Sequence, residues 1–173
     1  FLPLQADDSS LPMAVLEYRF SNPTDRALEA VFSFHAGNFM RTKAGGDAVD
    51  AIDGGFVLRQ PGTEEAPWDE GAFAVTLLDP EVQVDCAWFR GGWFDASTLV
   101  WKQIESGEPK SSGPLKDEIP SPGGSLYLPM TLQAGEEQTA TVLLTWYVPH
   151  SQLRLGKDSD CCCGESCTDK KDT

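Results

Sequence analysis

The sequence lacks a long hydrophobic run and is poor in basic residues, and each shortage excludes a class of protein. No apolar stretch approaches the ~20 residues that cross a bilayer, and the longest one, residues 141–148, is typical of a buried strand. Only 13 Lys and Arg side chains stand against 27 acidic ones, which gives a formal net charge of −14. Because this charge repels nucleic-acid phosphates, we predict no nucleic-acid partner. Because no apolar run is long enough, we also predict no transmembrane segment.

The motifs of several catalytic chemistries are also missing. Ser125 lacks the Gly-x-Ser-x-Gly spacing of a nucleophile elbow, and no Gly-x-Gly-x-x-Gly follows a predicted strand. His35 and His150 are the only histidines, and most of the chain separates them. We interpret His35 as a hydrogen-bonded residue at a strand end and His150 as a surface residue, with a shared metal or base role as the minor alternative. We predict no catalytic residue and no cofactor in this chain.

Apolar residues, by contrast, are plentiful, and many of them alternate with polar ones. They make up 40% of the 173 residues and include nine Phe and five Trp, which is enough to form the core of one domain. Period-two alternation predicts strands at residues 13–20 and 28–35, and the turn composition of residues 21–26 indicates an antiparallel pair. Glu17 and Glu29 lie opposite the apolar faces of this pair, as solvated cross-strand residues do.

The same pattern continues along the chain. Further strands are predicted at residues 56–58, 73–78, 82–89, 125–132 and 138–148. The Asp79-Pro80 turn indicates a hairpin, the glycine-rich residues 41–55 indicate an exposed connection, and residues 108–124 have loop composition. Residues 97–105 have helical spacing, with Asp95 or Ser97 as the cap. The predicted fold class is all-β, an antiparallel β-sandwich with one short helix and long loops.

Several segments resemble the N-terminal domain of glycoside hydrolase family 116, which includes non-lysosomal (bile-acid) glucosylceramidases and microbial β-glucosidases. They are Phe1-Leu-Pro-Leu, Asp8-Ser-Ser-Leu-Pro, Glu17-Tyr with Asn22-Pro-Thr-Asp, Ala134-Gly-Glu, and Thr145-Trp-Tyr-Val-Pro. The resemblance covers residues 1–156, interpreted as a β-sandwich domain truncated at its start. Residues 157–173 are interpreted as a Cys-rich polar tail or linker.

The resemblance implies a division of labour in a longer protein. The sandwich of this family packs against an (α/α)6 barrel, and the barrel carries the two catalytic carboxyl groups of a retaining mechanism. We therefore expect this chain to be non-catalytic alone, with the barrel of the same parent chain as its partner. A β-glucoside or glucosylated lipid is then the substrate of the parent, a glycoside hydrolase. Phe1 in place of Met also suggests a chain cut from something longer, and the compartment stays open, with the cytoplasm favoured.

Aromatic residues in the middle third give a second hypothesis, a stand-alone glycan-binding module. Sugar rings stack on flat aromatic faces, and the loop composition of residues 90–95 could present Trp93 and Phe94 outward. We predict that these two residues and Trp68 contact either carbohydrate or the barrel. Trp88 and Trp101 are predicted to be buried in the core.

Four cysteines crowd the polar tail, namely Cys161, Cys162, Cys163 and Cys167, while Cys86 lies alone in a predicted strand. Thiolates are good zinc ligands, so the four form a candidate metal site. Their spacing is poor, however, because structural zinc sites draw paired ligands from two separated segments. Disulfide formation and a reduced linker remain as the other two interpretations.

Overall fold

Eight antiparallel strands form two sheets in residues 11–116 and 119–150, the part of the chain that this computed structural model describes. The five-stranded sheet has the order β1, β8, β5, β4, β3, and the three-stranded sheet has the order β2, β7, β6. The strands are β1 Met13–Ser21, β2 Leu28–Gly37, β3 Ala48–Ile52, β4 Gly55–Gln60, β5 Gly71–Leu77, β6 Gln83–Asp85, β7 Gly123–Leu132 and β8 Glu137–Tyr147. The predicted all-β sandwich is confirmed.

One α-helix, α1, spans Ala96–Ser106, as the helical spacing predicts. Asp95 caps its start, since the carboxylate accepts a hydrogen bond from the Thr98 backbone N–H at 2.8 Å. Gly107 ends the helix with a left-handed φ of 67°. A short 3-10 helix, Pro67–Asp69, lies between β4 and β5.

The core lies between the two sheets and is built from alternate residues of their central strands. Phe56, Val75 and Val142 of the five-stranded sheet meet Leu126 and Leu128 of β7, and all five are fully or almost fully buried. A glycine in β7 permits this close packing: a Cβ at position 124 would lie 2.7 Å from the Phe56 ring. The apolar alternation of the sequence therefore corresponds to the inner faces of both sheets.

The predicted pairing of the first two strands is wrong. β1 pairs with β8 and β2 pairs with β7, so that the two strands belong to different sheets. The apolar faces of β1 and β2 meet across the sandwich, where the Tyr18 and Phe32 rings are 5.0 Å apart. Consequently Glu17 lies opposite Thr141 and Glu29 opposite Thr131, and the two glutamates do not face each other.

Two further strand assignments are corrected. β5 and β6 also belong to different sheets, so the Asp79-Pro80 turn crosses the sandwich and does not close a hairpin. Within the predicted connection of residues 41–55, β3 pairs with β4. Its Val49 is buried, and the Arg59 guanidinium bonds Asp50 across the strand pair at 2.7 Å. The glycines on both sides hid β3, because Ala48–Ile52 is only a short apolar segment within a stretch of loop composition.

The long connections lie at one end of the sandwich and the short turns lie at the other. Because every strand pair is antiparallel, the long connections at 38–47, 61–70 and 86–122 fall at one end, the loop end. The short turns fall at the other, the turn end. They comprise residues 22–27, 53–54, 78–82 and 133–136.

Asn22 joins two of these turns at the turn end. Its side-chain nitrogen donates to the backbone oxygens of Arg26, Leu132 and Gln133 at 2.7, 2.9 and 3.0 Å. Its side-chain oxygen accepts from the Thr24 backbone N–H and hydroxyl. The buried Asn22 side chain thus satisfies backbone groups of the 22–27 and 133–136 turns, each of which connects the two sheets.

We expect Asn22→Ala to lower the free energy of unfolding by about 2 kcal/mol, because it leaves buried carbonyls without a donor. Urea unfolding followed by circular dichroism measures the loss. Thr24→Ala is the control, since it keeps all three Asn22 donor bonds, and its loss should be less than half as large. Equal losses for the two variants would contradict this account of Asn22.

Candidate functional site

The three aromatic residues singled out in the sequence are all exposed. Trp93 is 95% exposed and Phe94 55% exposed in the segment before α1, while Trp68 is 41% exposed in the 3-10 helix. Trp93 and Phe94 are adjacent in the chain. Among the described residues no ring contact joins Trp68 to either of them.

Sequence reasoning missed other exposed aromatic residues at the loop end. The Phe39 ring packs edge-on against Phe73, with centroids 4.8 Å apart, and Phe73 lies opposite Trp146 in the β5–β8 pair. Phe39, Trp146 and its neighbour Tyr147 are all exposed. A signal was available for the last two: adjacent aromatic residues in a strand point to opposite faces, so both cannot enter one core.

The two tryptophans predicted to be buried differ. Trp88 is buried, as predicted, and its indole N–H donates to the Ser125 hydroxyl oxygen at 2.7 Å. Trp101 is 61% exposed, so that prediction is wrong. It lies on the outer side of α1, where its indole N–H donates to the Glu105 carboxylate one turn later at 2.9 Å. This local bond satisfies the indole without burial.

A cleft of about 410 Å³, the α1 cleft, opens between the helix and the outer face of the three-stranded sheet. Trp88, Phe89 and Tyr127 supply aromatic walls. Leu99, Val100 and Gln103 line it from the helix. Asp85, Glu108, Lys102 and Lys110 supply charged groups.

An ion pair inside the cleft was not foreseen. The Lys110 ammonium donates to the Asp85 carboxylate at 2.9 Å and to the Ala87 carbonyl at 3.3 Å. The second Asp85 oxygen accepts from the Ala87 backbone N–H at 3.0 Å. Asp85 is buried although it lies between the inward-facing Val84 and Cys86, because α1 and its flanking loops cover the other face of β6. An acidic residue inside an apolar strand was the available signal.

Beside this cleft, the outer face of the sheet carries a buried polar network. The two ring nitrogens of His35 lie 2.8 Å from the Ser125 hydroxyl and 2.9 Å from the Ser33 hydroxyl. Burial lowers the pKa of His35 from its ordinary value, and the Asp85 carboxylate only partly opposes this. The prediction of a hydrogen-bonded His35 is confirmed.

The Ser125 and His35 pair resembles half of a catalytic triad in distance alone. Ser125 is fully buried, and its oxygen already accepts the Trp88 indole N–H. Burial also raises the pKa of the neighbouring Tyr127, while a hydrogen bond from Ser125 partly opposes this and Asp85 adds to it. A nucleophile has to reach its substrate. This network therefore stabilises the covered sheet face and offers no reactive atom.

Metal ligands do not converge in residues 11–116 and 119–150, where no three His, Cys, Asp or Glu side chains could hold an ion. His150 is exposed, with its ring 3.7 Å from the Glu70 carboxylate. Cys86 is a buried free thiol whose pKa burial raises to about 11, with Asp85 and Asp50 adding to the rise. The candidate ligands Cys161, Cys162, Cys163 and Cys167 lie outside the described residues, as does the predicted boundary at residue 156. No helix of the described part is long and apolar enough to cross a membrane.

His35 should make stability depend on pH. Because its folded pKa lies below the ordinary value of 6.5, the unfolded chain binds the proton more readily and acid favours unfolding. Between about pH 7.5 and pH 5.5, the free energy of unfolding should fall more steeply for the wild type than for His35→Gln. Parallel slopes for the two proteins in urea unfolding would refute this role of His35.

The comparison with known families agrees with these observations. A family model described as "beta-glucosidase 2, glycosyl-hydrolase family 116 N-term" matches residues 1–165, which is nearly the whole chain. No curated protein sequence matches the chain. The match covers both sheets, α1 and the loop end. The chain therefore belongs to the family of glycoside hydrolase family 116 N-terminal domains.

Proposed function

We propose that this chain is the non-catalytic β-sandwich of a retaining β-glucosidase or glucosylceramidase-like hydrolase. On this proposal it supports an (α/α)6 catalytic barrel that these residues do not include. One observation carries the proposal: the family model of N-terminal domains matches residues 1–165, and the two buried acids of the described residues, Asp47 and Asp85, each already bind a basic partner. A retaining pair needs one carboxylate free to attack and one carboxyl group able to protonate the leaving oxygen, about 5 Å apart.

The carboxylates of the α1 cleft do not meet this requirement. Both oxygens of Asp85 already accept hydrogen bonds, from the Ala87 N–H and from the Lys110 ammonium. Glu108 is exposed and stands without a second free carboxylate in the cleft. The other buried carboxylate, Asp47, belongs to the five-stranded side of the sandwich and contacts Arg41 at 3.3 Å and Asn38 at 3.0 Å. Each buried acid therefore has a structural partner.

The loop end is the surface that we propose faces the barrel. Exposed aromatic side chains gather there, including Phe39, Trp93, Phe94, Trp146 and Tyr147. Exposed apolar side chains of this kind are typical of interfaces, and aromatic residues are enriched at interface centres. β8 also ends at this end of the sandwich, so the chain that follows it starts beside the same surface. Trp68 completes the set on the 3-10 helix.

The substrate belongs to the parent enzyme on this proposal. The description of the family names a β-glucosidase. We therefore propose a β-glucoside or a glucosylated lipid as the substrate class. The sandwich would act on it only through the barrel that it positions. Its own contribution is then stability and, at the loop end, part of the entrance.

An activity comparison tests the supporting role. The purified 173-residue chain should not hydrolyse an aryl β-glucoside above background, whereas the parent polypeptide should. In the parent, Phe39→Asp should weaken barrel attachment, because it places a charge in the apolar interface, and should lower activity and thermal stability together. Asp25→Asn, in an exposed residue of the turn end, is the control and should leave both unchanged. Hydrolysis by the isolated chain, or a parent gene without a helical region after the sandwich, would overturn the proposal.

A stand-alone glycan-binding module is the second candidate, and the 95% exposure of Trp93 favours it. A tryptophan with both ring faces in water is suited to stack on a sugar ring. If this candidate holds, Trp93→Ala should abolish millimolar-range binding of the chain to a glucan, measured by affinity electrophoresis. Trp101→Ala removes another exposed tryptophan, which lies on α1, and should keep the binding. Absence of glucan binding by the wild type would leave only the supporting role.

A further inference from the structure

Helix α1 is underpacked on the side that faces the sheet. Its apolar residues Leu99, Val100 and Ile104 are only half-buried, and no residue of the helix is fully buried. The α1 cleft of about 410 Å³, which is open to solvent, lies between the helix and the sheet. This volume lies within the range of roughly 300–1,000 Å³ that is typical of small-molecule sites.

The hollow continues along the underside of the helix. A second, smaller space of about 70 Å³ shares Gln103, Glu108 and Tyr127 with the α1 cleft and extends to Val31 and Ile104. The cleft is therefore a defined concave surface between helix and sheet.

The charged groups of the cleft balance. Asp85 and Glu108 supply two negative charges, and Lys102 and Lys110 supply two positive ones. Asp85 and Lys110 already neutralise each other in an ion pair at 2.9 Å. The Lys102 ammonium lies 5.3 Å from the centroid of the Phe94 ring, which holds this lysine beside the segment that precedes α1. A ligand with a formal charge would gain no net attraction here and would lose hydration.

The remaining lining is aromatic with a few polar groups. Phe89 presents a partly exposed ring, and Trp88 and Tyr127 form apolar walls. The Gln103 side-chain nitrogen donates to the Glu108 carbonyl at 2.6 Å, which fixes the amide at the cleft. The Lys110 ammonium uses two of its three donors on Asp85 and Ala87. The third donor and the Gln103 amide oxygen are suited to hydroxyl groups.

We propose that the α1 cleft binds an uncharged, hydroxylated ring compound, namely a simple saccharide or glycoside. Its apolar ring face packs on Phe89, and its hydroxyl groups bond Gln103 and Lys110. The lining of this site does not include the exposed Trp93. The site does not depend on the supporting role proposed above.

Binding to the complete 173-residue chain tests the site with three sugars that differ mainly in charge. Methyl β-D-glucopyranoside is neutral, D-glucuronate is an anion and D-glucosamine is a cation. Saturation-transfer NMR titrations give the dissociation constants. The neutral glycoside should bind in the millimolar range, and each charged sugar should bind more weakly because the lining is balanced in charge.

Two variants block the cleft, and two controls leave it open. Leu99→Trp and Val100→Trp add bulk that fits the existing space, and each should weaken glycoside binding by at least about tenfold. Ser97→Trp adds the same bulk at an exposed position of the same helix, and Trp101→Ala removes an exposed tryptophan that does not line the cleft. Both controls should bind within about twofold of the wild type. Circular dichroism and thermal unfolding establish that each variant is folded, and either blocking variant suffices if the other unfolds.

Three results would overturn the proposal. The first is no binding of the neutral glycoside by the wild-type chain at the solubility limit of the sugar. The second is binding that Trp93→Ala abolishes and the folded blocking variants retain. The third is tighter binding of glucuronate or glucosamine than of the neutral glycoside. Hydrolysis data on the parent enzyme do not bear on any of them, so this proposal and the supporting role can fail separately.

Discussion

Residues 123–128 of strand β7 are buried on both faces, and this double burial constrains most of the structure around them. On one face, Leu126 and Leu128 enter the core against the five-stranded sheet. On the other, Ser125 and Tyr127 lie beneath α1 and the loops that flank it. Because buried polar groups need hydrogen-bond partners, the covered face requires His35 beside Ser125, together with the indole of Trp88. The buried Asp85 requires Lys110 in the same way. The long 86–122 connection thus supplies the cover together with Trp88 and Lys110, while His35 comes from β2.

The fold class followed from the sequence because its physical signal is local. Alternation shows which residues of a strand share a face, and turn residues show where strands end. Pairing is not local, since the same Asn-Pro-Asp turn can close a hairpin or carry the chain to a second sheet. The path to the second sheet is stabilised by the bonds of Asn22 to Leu132 and Gln133, which lie more than a hundred residues away. No property of residues 21–26 alone contains that information.

The candidate site, too, was predictable from the sequence only in part. Loop composition correctly indicated that Trp93 and Phe94 lie in water, because their neighbours are glycine and charged residues. Trp101 was misassigned because helical spacing does not tell which tryptophan faces the core, and its bond to Glu105 satisfies the indole at the surface. The α1 cleft was not predictable, since it depends on how far the helix stands from β7. Trp88, Phe89 and the Asp85–Lys110 pair line the space between them.

Two surfaces with different chemistry follow from one arrangement of loops. The loop end carries several exposed aromatic rings, which are typical of an interface with another folded domain. The α1 cleft is concave, charge-balanced and sized for a small molecule. Both are built from connections at the same end of an antiparallel sandwich, because β6 ends and β7 begins at that end and the 86–122 segment joins them. The first surface suits a domain that supports a barrel, whereas the lining of the cleft fits the neutral ring ligand that we propose for it.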